Sequence, residues 1–125
     1  MITVNEIAFT AYPTTDKRRA RDFYEGLLGL KPTMDMDMGE NYWIEYDIGP
    51  ETLALSNYWK PSAEPKMGPT VALEVENFEE TVALLKSKGV PFAEEVPDGS
   101  VCSMSMVIDP DGNSLWIHKR KPGRG

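Results

Sequence analysis

The sequence predicts an α+β fold made of two copies of one βαβββ module, because two landmarks recur in the same order about half a chain apart. The hairpin segment Asp47–Leu55 has a counterpart in Asp109–Ile117, an offset of 62 (109 − 47). The helical segment that ends at Gly29 has a counterpart that ends at Gly89, an offset of 60 (89 − 29). Helix stops and hairpins that repeat over half of the chain indicate a tandem pair of small modules.

Module one is predicted to span about residues 3–59. Its first strand alternates with a period of two and ends at Pro13. Its helix begins near Thr15, carries an apolar stripe on one face, and ends at Gly29. Three short strands follow, and a Gly49-Pro50 turn joins the last two. The predicted strands are 6–12, 31–38, 42–48 and 52–58.

Module two is predicted to span about residues 70–121, after a proline-rich linker over about 60–69. Asn77 followed by Glu80 has the pattern of a capping box at the start of a helix, and Gly89 marks the end of that helix. The segment Asp109–Asn113 is a strong turn signal between the last two strands. The predicted strands are 70–76, 91–95, 101–108 and 114–120.

The composition predicts one compact domain and narrows the classes of partner. The 125 residues carry a net charge of −7, which argues against nucleic acid, whose phosphates favour a basic surface. No apolar run approaches the ~20 residues of a membrane span, and the N-terminus has no signal-peptide pattern. The only cysteine, Cys102, is expected to be a reduced core thiol. We therefore expect a cytoplasmic protein, with no nucleic-acid or membrane partner, whose acidic field attracts cationic small molecules.

Two motifs resemble those of a known family. Thr15–Leu30 resembles the helix motif of the vicinal oxygen chelate superfamily, and Asp109–Leu115 resembles its closing hairpin. The superfamily includes glyoxalase I, extradiol dioxygenases and bleomycin-resistance proteins. The resemblance implies an eight-stranded, cup-shaped mixed sheet with the helices on its convex side, and a homodimer, as in many members. Whether the modules pair within one chain or exchange across a dimer stays open at this point.

The resemblance also implies four positions at which the family's enzymes hold a divalent metal ion, one on the first and one on the fourth strand of each module. In this sequence they fall on Ala8, Ala54, Thr70 and Trp116. Alanine has no donor atom, an indole N–H only donates hydrogen bonds, and a neutral threonine hydroxyl is a poor metal ligand. Because His118 is the only histidine, a site of two histidines and one carboxylate cannot come from a single chain. We therefore expect no metal ion and no other cofactor.

The concave face of the implied cup is predicted to bind a ligand. Trp116 offers a flat surface for a planar or cationic group, or it only fills the space left by the metal ion. Glu74 is a counter-charge for a cation, a general base if burial raises its pKa, or a rim residue in water. His118 is a catalyst or a hydrogen-bonded edge residue. The predicted ligand-binding residues are Thr10, Tyr12, Ser56, Tyr58, Glu74, Trp116 and His118.

The remaining aromatic residues are assigned to other surfaces. An aromatic-rich region is expected to line the mouth of the cleft or a dimer seam; it consists of Trp43, Glu45, Trp59 and Met67. Ile7 and Phe9 are expected to face the helices, together with the apolar residues of the fourth strand.

The function predicted from these observations is that of a metal-free small-molecule-binding protein of the bleomycin-resistance type. Its ligand is expected to be cationic or aromatic, because the cleft is predicted to be acidic and aromatic. The alternative is an enzyme like the glyoxalases or dioxygenases, with either a displaced metal site or a metal-independent isomerase or lyase reaction that uses Glu74 or His118. A third reading is a regulatory module whose cleft is vestigial.

Overall fold

The computed structural model describes residue 3, residues 5–59 and residues 70–122. The chain divides into two compact units, Met1–Pro61 and Ser62–Gly125, which we call module one and module two. The predicted linker at 60–69 lies outside the described residues. None of the helices in the described ranges is long and apolar enough to cross a membrane.

Module one follows the order βαβββ. Its four strands form one mixed sheet in the order β1-β4-β3-β2, in which β1 and β4 are parallel and the other pairs are antiparallel. The helix α1 continues directly into a π-helical segment. The elements are β1 (Thr10–Pro13), α1 (Lys17–Arg21), the π-helical segment (Asp22–Leu27), β2 (Met34–Met38), β3 (Asn41–Ile48) and β4 (Glu51–Ser56).

Module two repeats this topology. Its sheet has the order β5-β8-β7-β6, with β5 and β8 parallel and the other pairs antiparallel. Two four-stranded mixed sheets, each with one helical connection, confirm the predicted α+β class and the tandem βαβββ modules. The elements are β5 (Val71–Glu74), α2 (Phe78–Ser87), β6 (Phe92–Val96), β7 (Cys102–Ile108) and β8 (Ser114–Arg120).

Both helices begin and end as the sequence predicts. The side chains of Asp16 and Asn77 each accept a hydrogen bond of 3.0 Å from the backbone N–H three residues further on, so both are N-caps. Gly29 and Gly89 have φ angles of 74° and 76°, in the left-handed region that a residue without Cβ enters without strain.

The helical segment of module one covers one face of its sheet. The rings of Tyr24 and Tyr46 stack with their centroids 6.3 Å apart, and the Tyr46 hydroxyl donates a hydrogen bond of 2.9 Å to Glu25. Burial, and then the hydrogen bond to Glu25, raise the pKa of Tyr46, so its hydroxyl stays a donor. Lys17 and Asp35 form an ion pair of 2.8 Å between α1 and β2. We call the opposite face of each sheet its open face.

Helix α2 covers the corresponding face of module two. Leu85 is buried, as are Val107 of β7 and Ile117 of β8. At the edge, Lys86 and Glu95 form an ion pair of 2.8 Å between α2 and β6. Each module therefore buries its apolar residues between one helix and one sheet face.

Strand β1 is the element that differs most from its prediction. The predicted strand covers residues 6–12, whereas the observed strand covers Thr10–Pro13. Ile7 is 70% exposed and Phe9 is 45% exposed, so neither packs under the helix as expected.

The hydrogen bond that caps the N-terminus of α2 contributes a measurable part of the stability. We expect Asn77→Ala to lower the free energy of unfolding by about 1 kcal/mol, because the first turn of the helix loses a side-chain acceptor. Urea denaturation followed by circular dichroism measures this change. Asn77→Asp is the matched control, since a carboxylate caps as well as an amide, and equal losses in both variants would contradict the assignment.

Candidate functional site

The open face of module two brings together three of the predicted ligand-binding residues. Strands β5 and β8 are parallel, and their register pairs Ala72 with Trp116 and Glu74 with His118. Residues that are paired across two strands point to the same face of the sheet. The predicted placement of Glu74, Trp116 and His118 on one face is therefore confirmed.

Glu74 and His118 are in direct contact. The Nδ1 atom of His118 lies 2.6 Å from Oε1 of Glu74, and the backbone N–H of Arg120 donates a hydrogen bond of 2.9 Å to Oε2. The guanidinium of Arg120 lies 3.8 Å from the same carboxylate. Within the described part of the chain, Nε2 of His118 has no hydrogen-bond partner. The pair therefore orients an imidazole whose second nitrogen is available to a bound molecule.

The pKa of Glu74 is shifted in the opposite direction from the one that a general base requires. Burial raises the pKa of Glu74, but the Arg120 amide and the His118 imidazole together outweigh it, and the pKa lies below its ordinary value. The general-base alternative required a pKa above the ordinary value, and this condition is not met. An ionised carboxylate only accepts hydrogen bonds, so His118 donates to it from Nδ1; in the tautomer that carries its proton on Nδ1, Nε2 is an acceptor.

Trp116 is the largest side chain on this open face. Its partner across the parallel pair is Ala72, and its partner across the antiparallel pair is Met106. Ala72 is exposed and Trp116 is half-buried. The small side chain of Ala72 covers little of the neighbouring ring, and the indole stays partly accessible.

The open face of module one has a different composition from the one predicted. Strands β1 and β4 pair Thr10 with Leu53, Ala11 with Ala54, and Tyr12 with Leu55. Thr10 and Tyr12 therefore lie on the helix-covered face, and Tyr12 is buried there. The prediction that Thr10 and Tyr12 share a face with Ala54 and Ser56 is wrong, because the sequence pattern places β1 one residue out of register.

Ser56 and Tyr58 lie at the end of β4 but differ in accessibility. The Ser56 hydroxyl is buried, donates to the backbone oxygen of Tyr42 at 2.7 Å, and accepts from the backbone N–H of Tyr58 at 3.0 Å. It thus ties β4 to β3 and has no open side for a ligand. The Tyr58 ring is exposed and packs against Trp59 at 5.7 Å.

An aromatic cluster occupies the open face of module one. Trp43 is paired with Ser56, and its ring contacts Phe9 at 5.1 Å and Trp59 at 6.0 Å. The indole N–H of Trp43 donates a hydrogen bond of 2.7 Å to Glu45. The sequence pattern indicates the Trp43–Trp59 region but assigns Phe9 to the opposite face. Phe9 lies two positions before Ala11, and side chains two positions apart point to the same side of an extended chain. Because Ala11 pairs with Ala54, this spacing is the sequence signal that would have placed Phe9 on the open face.

Comparison with known proteins places the chain in a superfamily. Residues 6–117 match the family model of the glyoxalase/bleomycin resistance protein/dioxygenase superfamily. The chain belongs to this superfamily. It is also 33% identical over 75 residues to the lactoylglutathione lyase of Schizosaccharomyces pombe, which covers 59% of this chain and 24% of that protein. The chain thus matches about a quarter of the length of this curated relative.

Solved structures share the superfamily fold with this chain. A glyoxalase family protein from Enterococcus faecalis has a TM-score of 0.72 at 23% identity, over 91% of this chain and 97% of that one. The antibiotic-binding protein TnmS3 from Streptomyces sp. CB03234 has a TM-score of 0.74 at 20% identity, covering 97% and 100%. The fosfomycin resistance protein FosX from Listeria monocytogenes has a TM-score of 0.77 at 11% identity, covering 96% and 97%.

The residues at the four positions that the resemblance implies for a metal ion do not fit a divalent cation. Ala8 is exposed and lies before β1, and Ala54 is buried; neither side chain has a donor atom. The Thr70 hydroxyl donates to the backbone oxygen of Ser114 at 3.0 Å and accepts from its hydroxyl at 2.9 Å. Within residues 5–59 and 70–122, no three His, Cys, Asp or Glu side chains are placed to hold a metal ion together.

The contact between Glu74 and His118 predicts a measurable change in acidity. We expect His118→Leu to raise the pKa of Glu74, because burial, which raises this pKa, remains while the imidazole that lowers it is lost. Carbon-detected NMR titration of the glutamate and aspartate side-chain carboxyls measures this pKa. Asp98, whose pKa is lowered by its ion pair with Lys121, is the internal control and should not move.

The same pKa fixes the sign of a pH effect on stability. Because the pKa of Glu74 is lower in the folded state than in the unfolded state, its charge stabilises the fold above the unfolded pKa. This contribution is lost as the pH falls through the folded pKa.

An unchanged Glu74 pKa in His118→Leu would contradict the role assigned to the contact between Glu74 and His118.

Proposed function

We propose that this protein binds a small cationic or aromatic molecule on the open faces of its sheets without the help of a metal ion. The observation that carries the proposal is the partly accessible indole of Trp116 beside Ala72, at a position that the resemblance implies for a metal ligand. Its fourth-strand counterpart in module one, Ala54, offers only a methyl group. Indole and methyl groups favour stacking and apolar contact over coordination.

The carboxylates of the open faces support a cationic ligand. Glu74 carries its charge to lower pH than an ordinary glutamate, and Glu45 lies beside Trp43 on the other open face. The net charge of −7 adds a long-range attraction for cations. Aromatic rings next to carboxylates are the side-chain combination that binds organic cations in water.

Two relatives give independent support. TnmS3 is described as an antibiotic-binding protein and FosX as a fosfomycin resistance protein, so proteins with this fold act on or bind small molecules. We propose that the present chain uses the fold for binding. As many members of the superfamily are homodimers, we propose the same assembly here, which light scattering on the purified protein measures directly.

A pair of tricyclic dyes tests the proposal. We expect the cation proflavine to bind more tightly than the neutral 1-aminoanthracene. For each dye, we expect the same dissociation constant before and after dialysis of the protein against EDTA. Fluorescence anisotropy titrations give the two dissociation constants. We expect Trp116→Ala to weaken proflavine binding by roughly fivefold, because stacking on an aromatic ring contributes about 1 kcal/mol.

The matched control is Trp116→Phe, which keeps an aromatic surface at the same position. Its dissociation constant should stay close to that of the unmodified protein. Binding that requires added zinc, nickel, iron or manganese would contradict the metal-free proposal. Stoichiometric metal in protein purified without chelator, measured by mass spectrometry, would contradict it as well.

A second candidate function rests on the contact of 2.6 Å between Glu74 and His118. An imidazole that donates from Nδ1 to a carboxylate presents a basic Nε2, which is the arrangement of a general acid–base catalyst. The reaction class would be metal-independent proton transfer, as in an isomerase or a lyase, with Glu74 as a positioning residue.

The hemithioacetal of methylglyoxal and glutathione is the first substrate to assay, since the S. pombe relative is a lactoylglutathione lyase. If the protein is such an enzyme, we expect Glu74→Gln to lower kcat by about a hundredfold or more and to alter the pH profile of the remaining activity. Glu79→Gln removes the same charge from the exposed first turn of α2 and is the control. Absence of turnover in the unmodified protein would exclude this reaction and favour the binding function.

A further inference from the structure

We propose that Phe9, Trp43 and Trp59, together with the carboxylate of Glu45, form a subsite of module one for an alkylated ammonium group. The inference rests on the proposed ligand-binding function and adds to it the chemical class of the ligand and the residues that recognise it.

The rings of the cluster meet edge to face. The planes of Phe9 and Trp43 are inclined by 86° with their centroids 5.1 Å apart, and those of Trp43 and Trp59 by 62° at 6.0 Å. Edge-to-face pairs leave ring faces free on the side away from the contact. A cation is attracted to such faces at up to about 6 Å from the ring centroid.

The cluster is exposed to a degree that is unusual for aromatic side chains. Phe9 is 45% exposed and Trp59 is 46% exposed, and Met36, the β2 partner of Trp43, also lies open to solvent. Isolated exposed apolar side chains are common, but grouped aromatic ones mark binding surfaces.

The carboxylate within this cluster makes an organic cation the preferred occupant. The Trp43 indole N–H holds Glu45 at 2.7 Å, so the charge is fixed beside the rings. Carboxylates near the helix of the same module are neutralised, as Glu25 is by Arg21 and Asp35 by Lys17. In the described ranges, no lysine or arginine forms an ion pair with Glu45. An unneutralised charge among aromatic rings attracts a cation from solution.

The chemistry of the cluster favours an alkylated ammonium over a primary amine or a guanidinium. A primary ammonium has three N–H donors and a guanidinium has five, and each needs acceptors when it leaves water. Glu45 already accepts one hydrogen bond from Trp43, and the three rings supply no strong acceptor. A quaternary ammonium needs no acceptor, and its methyl groups make apolar contact with the rings.

Choline and its neutral carbon isostere 3,3-dimethyl-1-butanol are the probes, since they differ in the charged atom and share a shape. The readout is the indole N–H signals in ¹⁵N-edited NMR spectra, with the three tryptophans assigned by substitution. We expect choline to shift the Trp43 and Trp59 signals more than the Trp116 signal. We expect the isostere to bind roughly three- to thirtyfold more weakly, the range of a cation–π contribution.

The variant Glu45→Gln tests the contribution of the carboxylate to binding independently of the contribution of the rings. The glutamine amide oxygen still accepts from Trp43, so the ring geometry is kept while the charge is lost. We expect this variant to weaken choline binding at least threefold and to leave binding of the isostere unchanged. Glu51→Gln removes the same charge from an exposed position at the start of β4 and should bind choline as the unmodified protein does.

Equal affinities for choline and the isostere would overturn the inference, and so would choline shifts confined to Trp116. If dye binding depends on Trp116 but choline does not shift the Trp43 and Trp59 signals, the subsite is rejected and the proposed function stands. Choline binding at Trp43 without dye binding at Trp116 would keep the subsite and reject the stacking role of Trp116.

Discussion

The parallel pairing of the first and last strands within each module is the constraint on which the candidate site depends. Side chains alternate between the two faces of a sheet, so a shift of one residue in this pairing exchanges everything that the first strand contributes. The register brings Ala11 beside Ala54 and Ala72 beside Trp116. In module two the small Ala72 leaves the neighbouring Trp116 partly accessible, whereas in module one Ala54 is buried beside Ala11. Aromatic rings and carboxylates share the open faces of both modules.

Local patterns in the sequence predict most of the fold, and the non-local pairing of β1 is what they miss. The N-cap at Asn77 and the left-handed Gly29 and Gly89 depend on residues within one helical turn, so the sequence shows them directly. The alternation of Ile7 and Phe9 is equally regular, yet no helix covers these two residues. The partner of Thr10 in the parallel pair is 43 positions away (53 − 10), and a pattern in a short window does not contain it.

The candidate site is also predictable only in part: strand alternation predicts which residues share a face, and it does not predict their contacts. Glu74 and His118 are predicted on one face because β5 and β8 both alternate cleanly, and the structure brings their side chains into contact. Their mutual effect on acidity is not in the sequence, since burial and hydrogen bonding act in opposite directions and only geometry decides between them. Ser56 has the predicted face but is covered by its neighbours. Phe9 joins the site only because the register of β1 differs from its apolar pattern.

The π-helical segment Asp22–Leu27 shows how a duplicated module tolerates a change in length. The glycine that ends the helix lies 13 residues after the N-cap in module one (29 − 16) and 12 residues after it in module two (89 − 77). The wider π turn absorbs the additional residue, so Gly29 still ends the helix in the same way as Gly89. A residue inserted into a strand exchanges the faces of the sheet beyond it unless a bulge takes it up, as at the register shift between Phe92 and Glu94 of β6. Descendants of one ancestral module can therefore gain or lose a residue in the helix while every strand keeps its pairing, and helices and turns are where such differences between relatives should accumulate.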